Sequence, residues 1–239
     1  MIELAGVTKS YGALPVLRTI DASFRQSRVC AIVGPNAAGK TTLIKVILGL
    51  VRPDGGEVRI DGAPTDAAGT YRARIGYMPQ TARYPDSLTG AELVAFLTEL
   101  RGGIGHAPLD EELLDLLGVR SSLDKPFSTL SGGTRQKINA ATAFLFRPDI
   151  LILDEPTAGL DPLSSSLLKD KILAERERGR TVLVTSHVMS ELETIADDVV
   201  CLLDGRVRFA GSLGALKQET RETTLERAIA HLMIREAAA

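Results

Sequence analysis

Short apolar runs alternate with longer helical patterns along most of this chain. Ile2–Val7, Leu17–Phe24, Val29–Val33 and Glu57–Ile60 read as strands, and Asp54-Gly55-Gly56 and Asp61-Gly62 punctuate them as turns. Val29–Val33, Ile150–Leu153 and Thr181–Thr185 are continuous apolar runs separated by helical patterns. Runs of that kind belong to a parallel sheet covered on both faces. Asp204-Gly205, between Val199–Leu203 and Arg206–Ala210, predicts a hairpin. The middle of the chain differs: from about Ala91 to Phe146 the spacing is mostly helical. Leu93, Val94, Phe96, Leu97 and Leu100 form one apolar face; Leu113, Leu114, Leu116 and Leu117 form another, stopped by Gly118. Gly102-Gly103-Ile104-Gly105 reads as the loop between them, and the whole stretch as a helical insertion into an α/β core. Leu225, Ile229, Leu232 and Met233 are spaced for a helix face in the tail. Packing back on the core is the preferred reading of that face, with an interaction helix as the alternative.

Composition narrows the function classes. With 239 residues, 44% hydrophobic and 24% charged, the chain has the make-up of a soluble globular protein of one large or two small domains. A net charge of −2 supplies no strong field for nucleic acid. Cys30 and Cys201 lie far apart in apolar runs and read as core residues of a reducing compartment. Met1-Ile2-Glu3-Leu4 lacks the basic start of a secretory signal, and no apolar run approaches the roughly 18 residues of a membrane helix. The expectation is a cytosolic protein whose membrane work, if any, needs a partner. No Cys/His cluster is present, so no metal cargo site is expected in the chain.

Three stretches carry chemistry. Gly34-Pro35-Asn36-Ala37-Ala38-Gly39-Lys40-Thr41 fits G-x-x-x-x-G-K-[ST] between a strand-like run and the helical Thr42–Leu48. A tight loop there turns successive N–H groups inward at a helix N-terminus, where a phosphate is favoured. Lys40 can reach β- and γ-phosphates, and the Thr41 hydroxyl can ligate Mg²⁺. Leu151-Ile152-Leu153-Asp154-Glu155 ends a buried strand in two carboxylates, which are costly there without partners or work. Asp154 suits a role at Mg²⁺, and Glu155 suits polarisation of an attacking water. Leu130-Ser131-Gly132-Gly133-Thr134-Arg135-Gln136-Lys137 precedes a helical stretch and exposes N–H groups at a second helix start. It reads either as a plain Ser N-cap or as a second phosphate grip, acting on a nucleotide held by another copy of the chain.

The set resembles the nucleotide-binding subunit of ABC transporters. Gly34–Thr41 matches Walker A, Ile150–Glu155 matches Walker B, and Leu130–Lys137 resembles the LSGGQ signature. Tyr11 in Ser10-Tyr11-Gly12 matches the A-loop aromatic that stacks on adenine. Gln80 in Tyr77-Met78-Pro79-Gln80 matches the Q-loop glutamine that couples Mg²⁺ to the transmembrane subunit. Ala158-Gly159-Leu160-Asp161 matches the D-loop, and His187 in Thr185-Ser186-His187 the switch histidine at the γ-phosphate. All stand in family order over residues 11–187. Taken singly, each has a plainer reading: Tyr11 as a packing residue, Gln80 and His187 as surface or core groups, Asp161 as an N-cap before Pro162.

The resemblance implies an α/β fold: a P-loop NTPase core with a parallel sheet, an antiparallel β subdomain and an inserted helical subdomain. Residues 1–210 would form the ATPase domain, with the insertion at about 82–146 and a helical tail over 211–239. It implies ATP and Mg²⁺ as cofactors. Gly34 to Thr42 with Tyr11 would bind nucleotide in one copy, and Ser131, Gly132, Gly133 and Asp161 would act from a second copy. Thr41, Gln80 and Asp154 would stand at the metal, and Glu155, His187 and Gln80 at the chemistry. It also implies a separate transmembrane permease that holds the chain on the cytoplasmic face of the inner membrane.

Tyr84–Leu93 is similar to ATPases paired with export-type permeases. Met78–Tyr84, the Thr134-bearing signature, Ala143–Pro148 and the tail from Leu216 to Met233 are similar to ATPases of nitrous-oxide-reductase maturation systems, which are linked to copper-site assembly. The chain departs from the family at Ala37, where Gly is usual, and at Thr134, where Gln is usual. Ala37 matters only if its φ is positive, a conformation costing a non-glycine residue roughly 1–2 kcal/mol. A soluble ABC ATPase acting on nucleic acid or the ribosome is the alternative. One motif set, no sustained heptads and a slightly acidic balance weigh against it. A small-molecule kinase with the same loop would leave Ser131–Gly133 and His187 without roles.

Overall fold

The computed structural model describes residues 1–66, 68–102 and 109–237. Two sheets organise it. The first pairs β1 (Ile2–Tyr11), β2 (Leu14–Phe24), β4 (Gly55–Ile60) and β5 (Ala63–Pro64) in the order β2-β1-β4-β5, all antiparallel. The second runs β10-β9-β3-β8-β7-β6, built from β3 (Val29–Val33), β6 (Ile75–Met78), β7 (Ile150–Asp154), β8 (Thr181–Thr185), β9 (Asp198–Leu203) and β10 (Arg206–Ser212). It is parallel from β9 to β6, and β10 closes one edge as the antiparallel arm of the hairpin read from Asp204-Gly205.

Alternation along the central strands divides the core into two layers. Val29, Ala31 and Val33 point with Leu151, Leu153, Val182 and Val184 toward the helical side. Cys30 and Ile32 point with Ile152, Leu183 and Val200 toward α1 (Lys40–Ile47) and the antiparallel sheet. Both faces of β3, β7 and β8 are therefore buried, which is why those strands read as unbroken apolar runs. Both cysteines are buried and unpaired, and burial pushes their thiols up, that of Cys201 to about 12.

Between β6 and β7 lie α2 (Gly90–Leu100), α3 (Glu112–Leu116) and α4 (Gly132–Phe144). Thr89 and Glu92 form a reciprocal capping box at α2, and Ser131 caps α4. After β7 follow α5 (Pro162–Glu177), capped by Asp161 with Pro162 at its first position, and α6 (Met189–Ile195). α7 (Leu213–Thr220) and α8 (Leu225–Ala237) form the tail.

The structure corrects the sequence reading in places. The helical stretch from about Ala91 to Phe146 is not one run: short 3₁₀ turns fall within it at Arg120–Ser122 and Phe127–Thr129, and residues 79–88, which lead into it, are irregular. Leu93 is buried on α2, but Phe96 and Leu100 are exposed. Leu113, Leu114 and Leu117 are buried while Leu116 is exposed, because α3 is a short helix that can hide only one side. Gly118 does end it, in the left-handed region at φ 65°. Of the loop Gly102-Gly103-Ile104-Gly105, only Gly102 lies within the described residues. β6 carries no clear signal in the sequence, since Gly76 interrupts it; a Cβ there would come within 2.0 Å of the Ala143 carbonyl oxygen on α4.

The tail packs back, with Leu225, Ala228, Ile229 and Leu232 buried and Met233 exposed. Glu193 on α6 pins it, accepting the Leu225 N–H at 3.1 Å and an ion pair from Lys217. Those contacts, Lys217 first, hold the Glu193 carboxyl below its usual range.

Candidate nucleotide cleft

The phosphate-loop sequence folds as a tight turn between β3 and α1. Two of its glycines are required by geometry. A Cβ on Gly34 (φ 150°) would stand 2.1 Å from the Leu202 carbonyl oxygen, and one on Gly39 (φ 103°) 2.9 Å from Leu17. Ala37 has φ 63°, so the position where glycine is usual does sit in the left-handed region. The Lys40 ammonium curls over the turn and donates to the carbonyls of Gly34 at 2.8 Å and Pro35 at 3.1 Å. Burial holds it below the ordinary lysine range, with Glu155 and Asp154 opposing that shift. An ammonium held close to neutral carbonyls is ready to exchange them for phosphate oxygens, which are the stronger, charged acceptors.

The carboxylates come from the end of β7. Asp154 and Glu155 are only 4% and 6% exposed. Register pairs Asp154 with Thr185 on β8, and the Thr185 hydroxyl donates to Asp154 Oδ1 at 2.6 Å. The same hydroxyl accepts the Glu155 N–H at 3.0 Å, fixing a backbone that has already turned left-handed at φ 54°. That turn swings the Glu155 side chain out of the strand line. Its Oε2 accepts the His187 N–H at 3.1 Å, and its Oε1 lies 3.3 Å from His187 Nε2.

An open cleft of about 440 Å³ runs over these groups. Asn36, Ala37 and Gly39 to Thr42 form one wall, Asp154, Glu155 and His187 another, and Gln80 closes a side. Leu14 and Val16 from β2 add an apolar edge that the sequence reading did not identify, nor did it identify Thr185. A strand run ending in Thr directly before Ser186-His187 was the available signal for Thr185. Thr41, Gln80 and Asp154 face the same cleft, and their oxygens are the hard donors a divalent magnesium ion takes.

The remaining sequence-predicted residues stand apart. Tyr11 is exposed and does not line the cleft; it pairs across the β1–β2 turn with Leu14, which does, and Lys9 Nζ lies 5.7 Å from its ring centre. Ser131, Gly132, Gly133 and Asp161 form a separate surface. Ser131 Oγ accepts the Thr134 N–H at 3.1 Å and contacts the Thr134 hydroxyl at 2.8 Å. Asp161 caps α5 through the Ser164 N–H and pairs with Lys137 of α4 at 2.8 Å, contacts that hold its carboxyl well below the usual range. A Cβ on Gly133 would meet the Gly159 carbonyl oxygen at 3.3 Å, so the starts of α4 and α5 are closely apposed. Among the described residues no helix is long and apolar enough to cross a membrane, and no group of three His, Cys, Asp or Glu side chains is placed to hold a metal ion.

Comparison with known proteins agrees with this geometry. The ABC transporter family model matches residues 17–158. The daunorubicin/doxorubicin resistance ATP-binding protein DrrA of Streptomyces peucetius is 35% identical over 94% of this chain and 69% of its own length. The Nod factor export ATP-binding protein I of Burkholderia orbicola (strain AU 1054) is 33% identical over 90% of this chain and 72% of its own. Among solved structures, an ATP-binding subunit of an ABC transporter superposes with a TM-score of 0.89 at 30% identity, covering 98% of this chain and 99% of that one. The dimeric bacterial ABC transporter cassette MJ0796 gives 0.79 at 27% identity, over 89% of this chain and 99% of its own. A second structure of that cassette is a post-hydrolysis state bound to ADP and Pi (0.80 at 26% identity, with the same coverage). This chain belongs to the ABC transporter family, as an ATP-binding and ATP-hydrolysing subunit with the α/β fold of those cassettes.

Proposed function

We propose that the chain is the motor of an export-type transporter, closing head to tail with a second copy on two ATP molecules and passing that motion to a separate permease. One observation carries the proposal: the groups able to bind phosphate lie on two surfaces that a single copy does not bring together. Asn36, Ala37, Gly39 to Thr42 and Gln80 line the cleft, with Gly34, Pro35 and Ala38 in the same phosphate-loop turn but off its lining, while Ser131, Gly132, Gly133 and Asp161 present outward beside it. Each nucleotide would be gripped by the cleft of one copy and by Ser131–Gly133 of the other. ATP contacts made only in the closed pair would shift the equilibrium toward closure. Tyr11 would stack on the adenine. Thr41, Asp154 and Gln80 would hold Mg²⁺, which neutralises the phosphate charge when bound.

Glu155 orients and deprotonates the attacking water, and His187, ordered by the same carboxylate, faces the terminal phosphate. Residues 1–210 would then be the working ATPase domain, with its insertion at about 82–146, and 211–239 the tail. The permease would hold the complex at the cytoplasmic face of the inner membrane. Export is supported by the Nod factor relative's name and by Tyr84–Leu93. A narrower assignment, to nitrous-oxide-reductase maturation, rests on the likeness of Met78–Tyr84, the Thr134-bearing signature, Ala143–Pro148 and the tail from Leu216 to Met233. A permease gene next to copper-enzyme maturation genes supports it, and a drug-resistance setting refutes it.

The test is size-exclusion chromatography of Glu155→Gln with MgATP. A nucleotide-dependent dimer is expected, abolished by adding Ser131→Arg. A Glu155→Gln protein that binds ATP and stays monomeric overturns the proposal.

A further inference from the structure

Gln80 lines the cleft, yet β6 stops at Met78 and Gln80 belongs to the irregular stretch from 79 to 88. What holds it is on α4. Asn139 lies in the interior of that helix and is 1% exposed. A buried primary amide is a poor choice for a helix core unless both of its ends are paired. Here both are. Asn139 Nδ2 donates to the Pro79 carbonyl at 3.0 Å, and Oδ1 accepts from the Tyr84 hydroxyl at 3.2 Å.

The held carbonyl is a particular one. The Pro79 C=O and the Gln80 N–H share one planar peptide unit, so fixing the first sets the direction from which Gln80 leaves the chain. Further contacts stitch the same stretch to the segment that leads into Ser131. The Tyr84 ring stacks on Phe127 with centres 4.5 Å apart. The Phe127 N–H donates to Leu88 at 2.8 Å, and the Ser128 N–H to Asp86 at 3.0 Å. Ser131 caps the helix on which Asn139 sits, about 12 Å away along its axis.

We propose that Asn139 is the positioning residue for Gln80, registering the cleft against the helix that presents Ser131. A tilt of α4 then carries the Gln80 peptide with it, so the grip on one nucleotide and the surface offered to the other are set by one rod. The inference rests on the role proposed above for Gln80.

The test uses the full chain. Asn139→Ala is expected to lower kcat about tenfold, as misplacement of a positioned group does, while the Kd for a fluorescent ATP analogue stays within about twofold. Tryptic cleavage after the exposed Arg83 should accelerate severalfold as the stretch loosens. Asn139→Ala also takes the Asn139 acceptor from the Tyr84 hydroxyl but leaves it the Thr142 side chain, so Tyr84→Phe in that background should not recover kcat. Asn139→Ser, too short to reach Pro79, should match Asn139→Ala and serves if the alanine variant folds poorly. Wild-type kcat in both Asn139 variants overturns the proposal, as does a kcat that returns in the double variant. Gln80→Ala is the control: wild-type turnover there defeats the role of Gln80 itself, and this inference with it.

Discussion

The buried charges around Lys171 and those in the cleft are built on opposite plans. Lys171, on α5 with its side chain only 2% exposed, is surrounded by Asp110 and Glu112 at 2.7 Å and Glu175 at 3.1 Å. Arg178 adds a second cation to Glu175 at 2.5 Å. The cluster ties the stretch leading into α3 to the helix behind the sheet, and its charges answer one another. In the cleft, Asp154 and Glu155 are as deeply buried, but the lysine beside them, Lys40, gives its hydrogen bonds to the phosphate loop. Their partners are a threonine hydroxyl and a histidine, on a backbone left-handed at both Ala37 and Glu155. Charges that pair within the protein hold it together. Charges buried without a full internal counterpart, on strained backbone, are left available to a ligand.

That contrast can be broken most sharply at Glu155. Glu155→Gln should lower steady-state ATPase by about 10²–10⁴-fold, the usual worth of a general base, without lowering the thermal midpoint. A midpoint that falls with activity would make Glu155 structural and erase the distinction. Lys171→Met should do the reverse, costing about 3 kcal/mol of unfolding free energy, the low end for a broken buried pair, because Asp110 loses its cation while Glu175 keeps Arg178 and Glu112 is half exposed. Turnover of the folded fraction should stay near wild type. Burial works to lower the Lys171 pKa, but hydrogen bonds from Asp110, Glu112 and Glu175 raise it on balance. Its stabilisation is therefore fully present below the pKa of an unfolded lysine and is lost only as pH rises through the folded value. Denaturation curves of wild type and Lys171→Met should accordingly stay apart at neutral pH and converge in strong alkali.

Thr185→Val removes the hydroxyl shared by Asp154 and the Glu155 N–H and should cost about 1–3 kcal/mol with a parallel loss of turnover. A stable, inactive protein would make Thr185 a participant in the chemistry. The smallest effect belongs to Ala37→Gly. Relief of about 1–2 kcal/mol of left-handed strain, less about 0.4–1 kcal/mol of added chain entropy, leaves a gain of about 0.5–1 kcal/mol in denaturant melts. A loss of stability would show that this loop bears no strain at Ala37.

Much of this was legible in the chain because its signals are local. The central strands were visible as unbroken apolar runs, the phosphate loop as spaced glycines before Lys40, and the caps at Ser131 and Asp161 as polar residues before helical stretches. What escaped depends on residues distant in sequence. β6 is defined by pairing with β7 and by room that Gly76 leaves for α4. Thr185 acquires its role only because register sets it opposite Asp154, thirty-one residues away. Phe96 and Leu100 share the helical spacing of Leu93, but spacing cannot say how much of a short helix its neighbours will cover. The positive φ of Ala37 was posed by the sequence as a question and answered by the backbone.

The pin at Glu193 gives the tail a meaning that its distance from the cleft would hide. Glu193 sits on α6, the helix entered just after His187, and one carboxylate clamps that helix to both tail helices. Trimming the chain after Ser212 would strip the cover from a greasy seam and leave this acid searching for company in the very element that follows the histidine. The far end of the polypeptide thus works as a splint for a neighbour of the reaction, and shortening it would register as a slack hinge long before it registered as a lost domain.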